Sequence, residues 1–123
     1  MTKIVIAEDD LTSMDILAYG LESLGYTVIR CSDGLRAFHV LQDNPDVKLL
    51  ITDMVMPQLD GRELVELVRK DQKLKDIPVM VISGVVGPKS IRDILEVGAT
   101  EFLGKPVNLD DLSDFMSRNV VTE

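Results

Sequence analysis

The strongest constraint on this chain is an alternation. Five short apolar or β-branched runs, Lys3 to Ala7, Tyr26 to Cys31, Val47 to Thr52, Val79 to Ile82 and Glu101 to Gly104, are each followed by a segment with helical spacing. Met14, Leu17, Leu21 and Leu24 define the first such segment, and Gly25 offers it a stop. Leu35, Phe38 and Leu41 define the second, after Asp33, and Leu64, Leu67 and Val68 the third, after Gly61. Ile91, Ile94 and Leu95 mark a fourth helix closed by Gly98. Leu109, Leu112, Phe115 and Met116 mark a fifth, with Asn108 as its N-cap. Gly20 inside the first helix costs about 1 kcal/mol relative to Ala, so local packing is expected to favour it.

Strict β-α alternation with short connections calls for a parallel sheet, right-handed crossovers and helices on both faces: a doubly wound α/β sandwich. Ile4-Val5-Ile6, Leu49-Leu50-Ile51 and Val79 to Ile82 are apolar without alternation, as strands covered on both faces should be, and are expected at the sheet centre. At 123 residues the chain fits one domain, 1–123, with no repeat or linker. Only Val120 to Glu123 are expected to fray.

Charge narrows the partners. Thirteen Lys and Arg against 21 Asp and Glu leave a net charge of −8, which repels a phosphate backbone, so direct nucleic-acid binding is not expected. Ile4 to Ala7 are too few apolar residues for a signal segment or a membrane span, and a cytoplasmic location is expected. The single cysteine, Cys31, cannot form an internal disulfide and reads as a small buried hydrophobe. His39, the one histidine, has no acidic or metal-binding partner in spacing and reads as a surface or boundary residue.

In open α/β sheets, ligands bind beyond the carboxyl ends of the strands. Those ends carry Glu8-Asp9-Asp10, Asp53, Ser83 and Lys105, from four different runs. Each has a plain alternative: acids before a helix serve as caps, Asp53 could be a turn residue, Ser83 an ordinary strand-end hydroxyl and Lys105 a solvated lysine. Together they are the parts of phosphoryl transfer: a carboxylate nucleophile, acids for a metal, a hydroxyl donor and a fixed cation. Carboxylates crowded at strand tips call for a counter-ion, and an oxygen-only set suits Mg2+, with Mn2+ as a substitute.

Four segments then resemble the receiver domain of two-component response regulators: Ile4 to Asp10, Ile51 to Gly61, Val81 to Gly84 and Gly98 to Pro106. The most distinctive pieces are Asp53 followed by Met56-Pro57 and Asp60-Gly61, and Lys105-Pro106, with Lys105 placed 52 residues after Asp53. The resemblance implies a flavodoxin-like (βα)5 sandwich with strand order 2-1-3-4-5. It implies that Asp53 takes a phosphoryl group from the phosphohistidine of a histidine kinase or phosphotransfer protein. Asp9, Asp53 and the Val55 carbonyl would ligate Mg2+, Glu8 would act through water, and Asp10 is the spare acid. Ser83 and Phe102 would be the switch pair, changing the surface of the fourth helix, fifth strand and fifth helix, and Pro106 would follow a cis bond. Such a protein assists its own phosphorylation and is not otherwise an enzyme; it acts on an unnamed downstream protein, as a monomer or a phosphorylation-linked dimer.

Val55 and Val85 are apolar where some relatives place side chains that steer water, so self-dephosphorylation is expected to be slow. Three rivals share parts of the pattern. A flavin carrier needs a hydroxyl-rich loop after the first strand, where Glu8-Asp9-Asp10 would repel the FMN phosphate. A haloacid-dehalogenase-type phosphatase wants a carboxylate where Val55 stands. An unphosphorylated docking module of the same fold would have no use for the full acid, hydroxyl and lysine set.

Overall fold

The computed structural model describes residues 2–84 and 87–120. Val85 and the last three residues of the expected fraying tail lie outside the described residues. Five strands alternate with five helices: β1 Lys3–Ala7, α1 Leu11–Ser23, β2 Thr27–Cys31, α2 Gly34–Asp43, β3 Val47–Asp53, α3 Gly61–Lys70, β4 Val79–Ser83, α4 Pro88–Val97, β5 Glu101–Gly104 and α5 Leu109–Asn119. All strand pairs are parallel and the order is β2-β1-β3-β4-β5. The three runs without alternation are the three central strands, because only there is each face covered by helices.

Alternation along each strand sorts the core into two layers. Ile4, Ile6, Leu49, Ile51, Met80 and Ile82 pack with Leu17, Leu21, Leu112 and Phe115 under α1 and α5. Val5, Leu50, Val79 and Val81 pack with Ala37, Leu41, Leu64, Val68 and Ile94 under α2, α3 and α4. The helices start where short polar side chains can take up the free amides of the first turn. Asp10 accepts from Ser13 N, Asp33 from Arg36 N and Asn108 from Asp110 N and Asp111 N, while Asp60 and Glu63 form a reciprocal capping box.

Several side chains depart from the expected apolar faces. Leu24, Leu35, Leu95 and Leu109 are exposed. Leu24 stands at the C-cap, past the last turn that faces the sheet. Leu109, in the first turn of α5, reaches across to α1, where a Cβ on Gly20 would lie 2.7 Å from its Cδ2; this contact is the packing that favours glycine there. Val120 belongs to the buried layer under α1 and α5 and its amide bonds to the Met116 carbonyl at 2.9 Å, so the fraying expected from residue 120 does not begin there.

One guanidinium fastens the far end of the molecule. Arg69, in the last turn of α3, donates to the carbonyls of Gly98 at 2.8 Å, Lys75 at 2.9 Å and Ile77 at 2.6 Å. Gly98 ends α4 with φ of 131°, in the region that favours glycine, and a Cβ there would stand 2.8 Å from Arg69 Cγ. The C-terminal ends of α3 and α4 and the approach to β4 are thus tied through one planar donor.

Candidate functional site

The two-residue period of a strand decides which side chains meet beyond its tip. Continuing Ile4-Ile6, Glu8 emerges on the α1 and α5 side; continuing Leu49-Ile51, so does Asp53; and Lys105 follows Leu103, which packs in the same layer. β1 and β3 are neighbours, and β4 and β5 complete the run, so Glu8, Asp53 and Lys105 converge although they come from three strands. The Lys105 amide bonds to the Ser83 carbonyl at 2.9 Å, which fixes the start of the segment after β5 against the tip of β4.

The resulting pocket is tightly paired. Lys105 Nζ donates to Glu8 Oε1 at 2.7 Å and to Asp53 Oδ2 at 3.0 Å, and lies 3.4 Å from Ser13 Oγ. The other Asp53 oxygen accepts from Met54 N at 2.7 Å. Glu8, Asp53 and Ser83 are buried, while Asp9 is exposed at the mouth. Burial pushes the Glu8 carboxyl above its ordinary value, with Asp53 adding to the rise and Lys105 opposing it. Burial also disfavours the Lys105 ammonium, but its bonds to Glu8 and Asp53 outweigh that and raise its pKa.

Close backbone contacts in the following loop support the tip of β3 at Asp53. The Gly61 amide closes the turn onto the Met54 carbonyl at 2.9 Å, and Gln58 takes a positive φ of 69°. A Cβ on Gly61 would run into the Asp53 carbonyl oxygen and approach Met54 Cα to 2.9 Å. Glycine is required there by the nearness of α3 to the tip of β3.

Oxygens of Glu8, Asp9 and Asp53 lie within 4.8 Å of one another, a spacing a single ion can bridge. Three carboxylates against one ammonium leave two negative charges in excess, and the donors are all oxygen, so the residues present fit a hard divalent ion. Asp10, the spare acid of the sequence reading, points away as the cap of α1. Ser83 ends β4 on the opposite face from Asp53, the face of Val81 and α4; Phe102, paired with Val81 in β5, is half-buried against the same layer. The Lys105-Pro106 bond is cis. Ser13 is the site residue that sequence reasoning missed: a serine three positions after a capping acid reads as part of the cap, and its nearness to Lys105 depends on how α1 docks.

A five-stranded parallel sheet in this order, with the acidic pocket at its strand tips, is the flavodoxin-like class of doubly wound fold. Within that class the chain belongs to the response regulator receiver domain family, whose model matches residues 4–117. It is 40% identical over 116 residues to Two-component response regulator ORR11 of Oryza sativa subsp. indica, covering 93% of this chain and 78% of that protein. Chemotaxis protein CheY4 of Vibrio cholerae superimposes with a TM-score of 0.89 at 28% identity, over 98% of this chain and 99% of the other. The receiver domain of a sensor histidine kinase from Pseudomonas aeruginosa, solved with a magnesium ion in its active site cleft, has the same fold: TM-score 0.88 at 22% identity, over 96% of both chains. Phosphotransfer is the general function of this family; receiver domains bind Mg2+ at an acidic pocket and interact with histidine kinases or phosphotransfer proteins.

Proposed function

We propose that Asp53 is the phosphoacceptor. The observation that carries this reading is the environment of its carboxylate: one oxygen is fixed by Met54 N, the other by Lys105, and both lie beside Glu8 and Asp9 at an accessible strand tip. A carboxylate oxygen of Asp53 attacks the phosphorus of a partner's phosphohistidine. The P–O bond forms as the P–N bond breaks, and the electron pair ends on the imidazole nitrogen, which takes up any proton it needs from solvent. Lys105 keeps a compact positive charge opposite the incoming phosphoryl oxygens, where it stabilises charge as the bond order shifts. Mg2+ held by Asp9, Asp53 and the Val55 carbonyl, with Glu8 acting through water, would screen the phosphoryl oxygens from the attacking carboxylate; Mn2+ has the same ligand preference.

Ser83 then bonds a phosphoryl oxygen and draws in the loop that begins at Gly84. Phe102 lies on the same face of the sheet, two residues along the β4–β5 register, so its packing follows that movement and alters the surface of α4, β5 and α5. The protein is a signalling phosphoacceptor that assists its own phosphorylation and dephosphorylation, not an enzyme acting on a second substrate. It works in the cytoplasm, receives its phosphoryl group from a histidine kinase or phosphotransfer protein, and passes the signal to a protein target as a monomer or a phosphorylation-linked dimer.

Acetyl phosphate with Mg2+ tests the reading. The protein is expected to gain a phosphoryl mass that chelation of the metal prevents and Asp53→Asn abolishes; a protein that never gains it is a docking module of the same fold.

A further inference from the structure

We propose that Ser13, anchored by its amide to the Asp10 cap of α1, is a positioning residue for the Lys105 ammonium; this rests on the reading of Asp53 above and deepens it. An ammonium has three N–H donors, and among the described residues Lys105 has three side-chain acceptors within reach: Glu8 at 2.7 Å, Asp53 at 3.0 Å and Ser13 at 3.4 Å. Two of these belong to the acidic pocket. The third stands on a different element, the first turn of α1, and pulls toward the pocket rim.

The serine backbone is anchored beside the pocket. Asp10, capping α1, accepts the Ser13 amide at 2.9 Å, and that bond keeps its carboxyl below the ordinary value. The Ser13 hydroxyl oxygen accepts from Lys105 Nζ at 3.4 Å. The acid left over from the metal set thus fixes the turn that carries the group contacting the lysine.

The lysine would otherwise have freedom to move. Ser13 and Lys105 both line a cavity of about 350 Å3 between α1 and the segment after β5, walled by Ile16, Leu17, Ile82 and Pro106. Without the hydroxyl, the ammonium keeps two side-chain acceptors among the described residues, both carboxylates of the site. The reaction needs it to leave Asp53 Oδ2 for a phosphoryl oxygen without leaving the pocket, and an acceptor on the rim that is not itself a reactant provides that.

The test compares the wild-type chain with Ser13→Ala and Ser13→Thr. Without any phosphodonor, 15N lysine spectra are expected to show a hydrogen-bonded ammonium signal, assigned by its loss in Lys105→Met, that is present in wild type and Ser13→Thr and broadened away in Ser13→Ala. With acetyl phosphate, the maximal rate of phosphoryl gain is expected to fall roughly three- to tenfold in Ser13→Ala, the worth of one weak hydrogen bond, with Ser13→Thr restoring it and the half-saturating Mg2+ concentration not rising. A Ser13→Ala protein with the wild-type ammonium signal and rate would overturn the proposal, as would a rate loss accompanied by an equal rise in the Mg2+ requirement. Failure of the Asp53 reading is distinguishable, since it would show as phosphoryl mass retained in Asp53→Asn while the ammonium signal still reports on Ser13.

Discussion

Glu8 and Lys105, 97 positions apart in the chain, meet at 2.7 Å, with the glutamate side chain fully enclosed and the lysine about a quarter exposed. An acid enclosed to that degree needs a cation, and in the absence of metal the lysine supplies it.

Lys105→Met is therefore expected to lower stability in metal-free buffer by about 2 kcal/mol, less than for a fully enclosed pair because the ammonium keeps some water. It should also gain more stability from added Mg2+ than the wild type does, since the ion then faces three acids with no ammonium beside them. Urea unfolding with and without Mg2+ measures both; equal Mg2+ responses would refute the account.

Gly61→Ala places a methyl group against the Asp53 carbonyl, a backbone atom that cannot swing aside. The expected cost is about 3 kcal/mol, together with slower phosphoryl uptake because the tip of β3 must shift. Ala substitution at Gly84, where a Cβ meets nothing within 4 Å, is the control and should unfold at nearly the wild-type midpoint.

Arg69→Met removes the donor shared by the Gly98, Lys75 and Ile77 carbonyls. A loss of about 2 kcal/mol is expected. Arg69→Lys should recover little, because an ammonium lacks the planar fork that spans three acceptors. Hydrogen exchange should localise the loosening to residues 94–100; protection unchanged there would show that the tie is incidental.

Val55 is exposed beside the acidic pocket and offers no group to orient an attacking water. Phospho-Asp53 is expected to persist well beyond seconds in the purified protein. Val55→Asn should shorten its lifetime by roughly tenfold, the scale of a modest gain in water positioning. Decay within seconds in the wild type would contradict this.

Burial pushes the Cys31 thiol above its ordinary value of 9.0. The folded chain then keeps a proton that the unfolded chain releases, so stability should fall as pH rises from about 9 toward the folded value. Wild type should lose more stability between pH 8 and pH 10 than Cys31→Ala does, and the native thiol should resist a disulfide reagent at pH 8 until urea is added.

The fold was readable in the sequence because its signal is local. Runs such as Val79 to Ile82 lack alternation only if both faces are covered, and Asn108 and Gly98 sit where helix ends need them. The acids, Ser83 and Lys105 could be grouped because parallel strands put their carboxyl ends on one side. What could not be read depends on distance between elements. Leu35 and Leu95 have helical spacing, but which stripe of a helix meets the sheet is set by tertiary packing. Ser13 became a neighbour of Lys105 only when α1 settled over β1. Nothing in the residues around Arg69 announces that its acceptors come from two separate connections.

The surplus of two negative charges among Glu8, Asp9, Asp53 and Lys105 makes the pocket selective by valence. A sodium or potassium ion leaves it still anionic and repellent to a phosphate-bearing donor, however abundant that ion is. An ion of charge two brings the formal total to zero, so an approaching phosphoryl group meets no electrostatic barrier at the threshold.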